Sequence, residues 1–231
     1  STYQELYSWS VDQIGPFWEE VALFTGLTFH SPYSQVVDDE KKLPGAKWFE
    51  GSTLNVAETL LRHNDEKIAL KFLTETDDEG TLSYKELNAH VAAFTARLRK
   101  LGVEKGDRVA GIVTNGPEAI VAFLASASLG AIWSSCSPDF GVNGILDRLA
   151  QIEPKVLCCV SGYTYHGKVF SLTEKLSEIL ANLPTLQAVY LIPNQDVDCQ
   201  LSLSIPLETL SIKDSVAANY NQPLSFESVG F

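Results

Sequence analysis

Two short stretches of the chain combine residue types that could do chemistry. Gly162-Tyr-Thr-Tyr-His-Gly-Lys168 follows a strand-like run and has the spacing of a phosphate-binding loop, in which backbone N–H groups cradle phosphates and the lysine reaches a terminal one. Val169 stands where such a loop needs the serine or threonine hydroxyl that ligates magnesium, which argues against an orthodox P-loop nucleotidase. Two readings stay open: a glycine-containing surface turn with an exposed lysine, or backbone donors and Lys168 holding a phosphate without magnesium. The second stretch is Ser137, Pro138, Asp139, Phe140 and Gly141, at the end of an apolar run. In open α/β sheets, ligands sit beyond the carboxyl ends of the strands. The stretch has no metal-ligand spacing and no nucleophile with a neighbouring base. Its composition suits a fixed turn and close backbone approach. It reads either as a ligand edge or as a plain strand-to-helix turn shaped by Pro138 and Gly141, with Asp139 as helix cap.

Other chemistries find little support. His30, His63, His90 and His166 form no His-x-x-x-His pair, so surface or helix-face roles are the simpler reading. There is no Gly-x-Ser-x-Gly elbow and no Gly-x-Gly-x-x-Gly fingerprint, which leaves a serine hydrolase and a dinucleotide-binding dehydrogenase without their usual contexts. Acidic residues 38–40 and 75–79 read as solvated loops. A formal net charge of −12 over 231 residues argues against nucleic acid or an anionic membrane as partner. Any polyanionic ligand then needs a local cationic pocket. Cys136, Cys158, Cys159 and Cys199 form no Cys-x-x-Cys pair, consistent with a reduced, cytoplasmic chain. No apolar run approaches the roughly 20 residues of a membrane span, and nothing resembles a signal peptide. Methionine is absent, so sequence is expected upstream of Ser1.

The elements that must position these residues follow from periodicity. Trp9, Phe17, Trp18, Val21, Phe24 and Phe29 suggest one short amphipathic helix, which either packs its aromatics into the main core or meets a partner. Residues 29–52 carry no period and read as a surface connection, after which Thr53 is expected to cap a helix bearing Leu54, Ala57, Leu60 and Leu61. From Lys67 strand and helix signals alternate, the mark of a mainly parallel sheet covered on both faces. Strands are expected at 68–73 and from Thr81, joined by a turn at 77–80, and again at 109–113, 131–136, 156–160 and 188–192. Ser83 and Glu86 form a capping box for a helix with Leu87, Val91, Phe94 and Leu98 on one face, closed by Gly102. Asn115-Gly-Pro117 opens the next helix and Gly130 ends it; Ile145, Leu146, Leu149 and Ile152 mark another, stopped by Pro154; residues 172–183 mark the last. The fold class predicted is α/β, a doubly wound, mainly parallel sheet behind an aromatic-rich helical N-terminal appendage. Beyond Pro193 the period fades, as in a connector.

Pro44-Gly-Ala-Lys-Trp-Phe-Glu-Gly-Ser-Thr-Leu-Asn-Val-Ala-Glu58 and Leu129-Gly-Ala-Ile-Trp-Ser-Ser-Cys-Ser-Pro-Asp-Phe-Gly141 closely resemble the acetoacetate branch of the adenylate-forming acyl-CoA synthetases. Tyr7-Ser-Trp9 with Phe17-Trp18 is similar to the N-terminal appendage of acetyl-CoA synthetase relatives. Leu82-Ser-Tyr-Lys-Glu-Leu87 is similar to a looser motif shared across adenylate-forming enzymes. The resemblance implies an appendage over 1–64, a first α/β subdomain over 65–193 and a connector over 194–231 toward an ATP-binding remainder.

It also implies a complete enzyme that uses ATP and Mg2+ to turn acetoacetate into an acyl-adenylate and pyrophosphate, then passes the acyl group to CoA. The family's phosphate loop would begin shortly after Phe231. The chain therefore resembles an N-terminal part, expected to be inactive alone, to hold no cofactor tightly, and to contain no catalytic or metal-binding residue. The transferable site is on the CoA side: Ser137, Pro138, Asp139, Phe140 and Gly141 would flank the pantetheine tunnel, and Tyr165 and Lys168 stand near positions where relatives meet CoA phosphates. This sequence departs from those relatives, since Ser-Pro-Asp-Phe replaces a glycine-pair turn and only Lys168 keeps a positive charge. A weak, local CoA contact at Lys168 is the expectation. An acetyl- or propionyl-CoA synthetase fragment and a non-catalytic α/β interaction module are the alternatives.

Overall fold

The computed structural model describes residues 2–75, 79–194, 197–212 and 223–231. The chain divides into two compact units, Ser1–Leu60 with Phe226–Phe231, and Leu61–Ser225.

In the first unit the aromatic segment makes two helices, α1 (Tyr3–Asp12) and α2 (Ile14–Thr25), where the stripe suggested one. Pro16 explains the break: it has no N–H for the carbonyl of Asp12, but it is tolerated in the first turn of a new helix. Thr2 and Glu5 form a capping box at α1, and Gly26 closes α2 at φ 66°. At α2 the amide of Gly15 donates to Glu40 Oε1 at 2.8 Å. One of the acidic residues read as solvated thus satisfies a helix N-terminus 25 residues away.

The stretch expected as a connection contains β1 (Phe29–Ser31), β2 (Gln35–Val37) and β3 (Trp48–Glu50), each too short to show a period of two. Thr53 lies in β4 (Thr53–Leu54) rather than capping a helix. That role falls to Asn55, whose Oδ1 accepts the amide of Ala57 at 2.9 Å at the start of α3 (Val56–Leu60). Strand β4 pairs antiparallel with β1 on one side and with the terminal strand Val229–Gly230 on the other. Two aromatic clusters close within this unit. Trp9, Phe17, Trp18 and Trp48 meet edge to face, and Phe49 lies 4.9–5.3 Å from the rings of Phe29, Tyr33 and Phe231. Phe24, by contrast, is exposed.

The second unit opens with an antiparallel hairpin, β5 (Ile68–Leu73) and β6 (Glu79–Ser83), which stays outside the parallel sheet. Its second strand begins at Glu79, two residues before the expected start, so 79–80 of the expected turn at 77–80 belong to the strand, and 77–78 lie outside the described residues. The Ser83–Glu86 capping box opens α4 (Tyr84–Lys100), with Glu86 Oε2 accepting the Ser83 amide at 2.7 Å. Gly102, at φ 71°, supplies the left-handed residue that ends it.

There follow β7 (Arg108–Ile112), α5 (Pro117–Ser128), β8 (Ile132–Cys136), α6 (Val142–Leu149), β9 (Val156–Val160), the hairpin β10 (Gly162–Tyr165) and β11 (Lys168–Ser171), α7 (Thr173–Ala181), β12 (Ala188–Ile192) and β13 (Leu207–Thr209). The last turn before Pro154 tightens to a 3-10 helix, Ala150–Ile152. Five strands form one parallel sheet in the order β13-β12-β9-β7-β8. The fold is mixed α/β. Strand β9 is buried at every position, as a central parallel strand requires. Strand β13, three residues without a visible period, extends the sheet at one edge. Helix α4 packs on α5, and α6 on α7.

The buried face of α4 includes His90, only 4% exposed. Burial lowers its pKa, against the pull of Glu86 one turn earlier. Because the folded value lies below the unfolded one, the stability linked to His90 is present in full above the unfolded value of about 6.5 and is lost progressively as pH falls from there through the lower folded value. The melting temperature of the chain is expected to fall between pH 7.5 and pH 5.5, and His90→Gln is expected to flatten that dependence in a thermal melt series.

Candidate functional site

Three chain segments leave the carboxyl ends of the parallel strands side by side and enclose a cleft of about 880 Å³, a volume typical of small-molecule sites. The first is Val113, Thr114 and Asn115, which follow β7 and lead into α5. The second is Ser137, Pro138 and Asp139, after β8. The third is Tyr163, Thr164 and Tyr165 in β10, after β9. From β7 the chain crosses to β8 on one side, whereas from β9 it goes to β12 on the other. The cleft therefore opens where the direction of winding reverses, the place where open α/β sheets bind ligands. Its floor is apolar: Ile120 and Phe123 on α5, and Trp133 on β8.

Trp133 can lie in this wall because Gly111 of β7 has no side chain. A Cβ there would come 2.7 Å from two atoms of the indole. The turn after β8 is held from outside the cleft. Lys175 on α7 donates from Nζ to the carbonyl oxygens of Pro138 and Phe140, both at 2.9 Å. The Arg148 guanidinium on α6 sits 4.7 Å from the centre of the Phe140 ring, a cation–π distance. Phe140 thus turns toward Arg148. Gly141 occupies the N-cap position of α6, and no side chain caps that helix, so Asp139 is not its cap.

Burial pushes the Cys136 thiol up, with Asp139 adding to the effect and Arg148 opposing it, so the sulfur stays protonated near neutral pH. Burial and Asp139 likewise raise the Tyr163 hydroxyl. What the walls offer is the phenols of Tyr163 and Tyr165, hydroxyls, the Asn115 amide and the Asp139 carboxylate above an apolar floor, a surface that can bind and orient an elongated ligand.

Gly162-Tyr-Thr-Tyr-His-Gly-Lys168 is a hairpin, not a loop opening a helix. His166 and Gly167 take φ of 49° and 69°, both left-handed as a two-residue turn of the primed type needs. A strand therefore follows, and there is no helix N-terminus to collect phosphate. The Gly167 amide points instead to Glu75 Oε2, at 3.4 Å. Lys168 is exposed and lies directly opposite Tyr165 in the register. Directly opposed residues share a face, so Lys168 stands on the same side of the hairpin as Tyr165 and beside the cleft rather than within its lining.

Ser137, Pro138, Asp139 and Tyr165 are thus brought together around one cleft, while Phe140, Gly141 and Lys168 flank it. Residues 113–115 and the apolar floor were missing from the sequence reading. Their signal was present, a buried strand ending at Asn115-Gly-Pro117, but only the strand order shows that this end adjoins those of β8 and β9. In the first unit the fold joins Ser228, His30 and Glu58, with His30 Nδ1 and Nε2 each 2.5 Å from its partner oxygen. These bonds tie the terminal segment to β1 and α3. Among the described residues no three His, Cys, Asp or Glu side chains are grouped to hold a metal, and no helix is long and apolar enough to cross a membrane.

Residues 3–60 match the family model of the acetyl-coenzyme A synthetase N-terminus, and residues 57–220 match that of the AMP-binding enzyme. The acetoacetyl-CoA synthetase of Macaca fascicularis is 42% identical over 99% of this chain, which spans 35% of that protein. The malonamoyl-CoA synthetase of Penicillium aethiopicum is 40% identical over 81% of the chain and 27% of its own length. The solved structure of an acetoacetyl-CoA synthetase from Streptomyces lividans superposes with a TM-score of 0.87 at 40% identity, over all of this chain and 35% of that one. The chain spans about a third of the length of these relatives. With its five-stranded parallel sheet, its cleft at the carboxyl ends of the strands and a family match over most of its length, the chain belongs to the AMP-binding enzyme family.

Proposed function

We propose that the complete protein is an AMP-forming acid–thiol ligase that joins acetoacetate to CoA at the expense of ATP, with Mg2+, through an acyl-adenylate. The cleft beyond β7, β8 and β9 would be one wall of the channel for the thiol-bearing arm of CoA. The observation that carries the reading is this cleft at the winding reversal, in a chain 42% identical over nearly its whole length to an acetoacetyl-CoA synthetase. Residues 1–64 would form the appendage, 65–193 a doubly wound subdomain and 194–231 the connector. Helix pairing supports the doubly wound form: the crossovers β8→β9 and β9→β12 run in the direction opposite to β7→β8, so right-handed connections would put α6 and α7 on one face and α5 on the other, and α6 meets α7.

In the proposed site Ser137, Pro138 and Asp139 shape the channel, Tyr165 lies at its mouth, and Lys168 meets a phosphate of CoA from the same hairpin face. No residue of this chain is assigned a bond-breaking role, and the chain alone is expected to be inactive. A cytoplasmic protein acting on small molecules, without nucleic acid or membrane, completes the reading.

Malonamate is the second substrate to consider, because one relative is named for it. Acetoacetate and malonamate both place a carbonyl one methylene from the carboxylate and differ only in a methyl or an amide NH2. The test is AMP formation by the complete protein with ATP, Mg2+ and CoA, comparing acetoacetate, malonamate, acetate and propionate. Acetoacetate is expected to give the highest kcat/KM, and a preference for acetate would overturn the assignment. In the same assay Lys168→Ala is expected to raise the KM for CoA about two- to fivefold at low salt, less at high salt, as an exposed charge contact should. An unchanged KM at low salt would remove Lys168 from the site.

A further inference from the structure

The geometry points to Lys175 as the positioning residue that holds the Ser137–Asp139 wall of the cleft in its binding conformation, an inference that rests on the proposed CoA channel. The turn after β8 has little internal bonding to fix it. The Phe140 amide reaches the Ser137 carbonyl at 3.4 Å, the outer limit of a hydrogen bond, and the N-cap of α6 makes no side-chain bond. The Lys175 ammonium instead joins the two carbonyls that bracket Asp139, those of Pro138 and Phe140.

A cationic donor makes these bonds stronger than neutral ones. Among the described residues, Lys175 makes no ion pair with a carboxylate to draw it away. Its helix cannot shift freely either, because Leu176 and Ile179 are fully buried in the core. The ammonium therefore transfers the rigidity of the core to the main chain of this wall, where Arg148 meets only the ring of Phe140. Both of these bonds end on main-chain carbonyls, so its influence on a ligand passes through the backbone of residues 138–140.

The experiment uses the complete protein and two readouts, acetoacetate-dependent ATP–pyrophosphate exchange, which needs no CoA, and the KM for CoA in the full reaction. Lys175→Met is expected to raise the KM for CoA about tenfold, the effect of losing bonds to a charged donor, while exchange stays within twofold of the parent. Lys175→Arg is expected to recover most of the loss, since a guanidinium can also donate to two carbonyls. An unchanged KM for CoA, or an equal fall in both readouts, overturns the positioning role. If Lys175→Met does not fold, Lys175→Gln decides by the same criteria. If Tyr165→Ala and Lys168→Ala also leave the KM for CoA unchanged, the channel reading itself fails. If those two raise it and the Lys175 variants do not, only the positioning role falls.

Discussion

Phe94→Ala is expected to cost about 3–5 kcal/mol of folding stability, as for a large aromatic removed from a core that cannot close over the gap. Phe94 is 1% exposed on the inner face of α4, and its ring meets that of Tyr190 on β12 edge to face at 4.8 Å. The pair ties α4 to a strand next to the sheet centre, and the aromatic contact itself contributes about 0.5–1.5 kcal/mol beyond burial. Collapse into the cavity is hindered on both sides. The capping box fixes the start of α4, Leu98 anchors its end, and Tyr190 is held in the middle of a strand paired on both edges. Tyr190 cannot swing in without burying its hydroxyl elsewhere, and that hydroxyl is already held strongly protonated by burial and the nearby Glu208. In a urea titration the midpoint should fall with an unchanged m-value, and Phe94→Leu should lose much less. A loss below 1 kcal/mol would mean that the α4–sheet junction is far more plastic than its packing implies.

The elements with strong local signals were legible before any coordinates. The capping box at Ser83 and Glu86, the glycine after α4, Pro117 at the start of α5 and the continuous apolar run of β9 each act through near neighbours, so sequence suffices to read them. What failed depends on distant partners. Strands β1, β2 and β3 exist because antiparallel neighbours receive their backbone groups, not because three residues favour extension. Glu40 caps a helix 25 residues earlier, which no local pattern reveals. At the cleft, Ser137, Pro138, Asp139 and Tyr165 were legible through family likeness and the strand-end rule. Thr114, Asn115 and the Trp133 floor were not, because their place depends on strand order. The pattern at 162–168 shows the limit from the other direction: its spacing matches a phosphate loop, yet two consecutive left-handed residues make a hairpin.

Gly111→Ala is expected to close part of the cleft and, in the complete protein, to lower kcat/KM for CoA by tenfold or more. Gly111 is buried within β7, paired with Ser135 of β8 on one side and Cys158 of β9 on the other. The added Cβ would stand 2.7 Å from Cη2 and Cζ2 of Trp133 and 3.0 Å from Cβ of Ser135. Carbon atoms in contact prefer roughly 3.5–4.0 Å, so something must move. Ser135 Cβ is fixed by a paired backbone, but the indole borders open space in the cleft. The relief of the clash is therefore a swing of Trp133 into the volume a ligand would occupy. Stability should fall by only about 1–3 kcal/mol, as for overpacking next to a void. Adding Trp133→Ala to Gly111→Ala removes the obstructing ring, so the pair should be strongly non-additive, recovering CoA kinetics that Gly111→Ala alone loses. Equal kinetics for the parent and Gly111→Ala, with the variant folded, would show that the face of Trp133 against Gly111 does not bound the ligand path. A loss that Trp133→Ala fails to relieve would place the damage in the β7–β8 ladder instead.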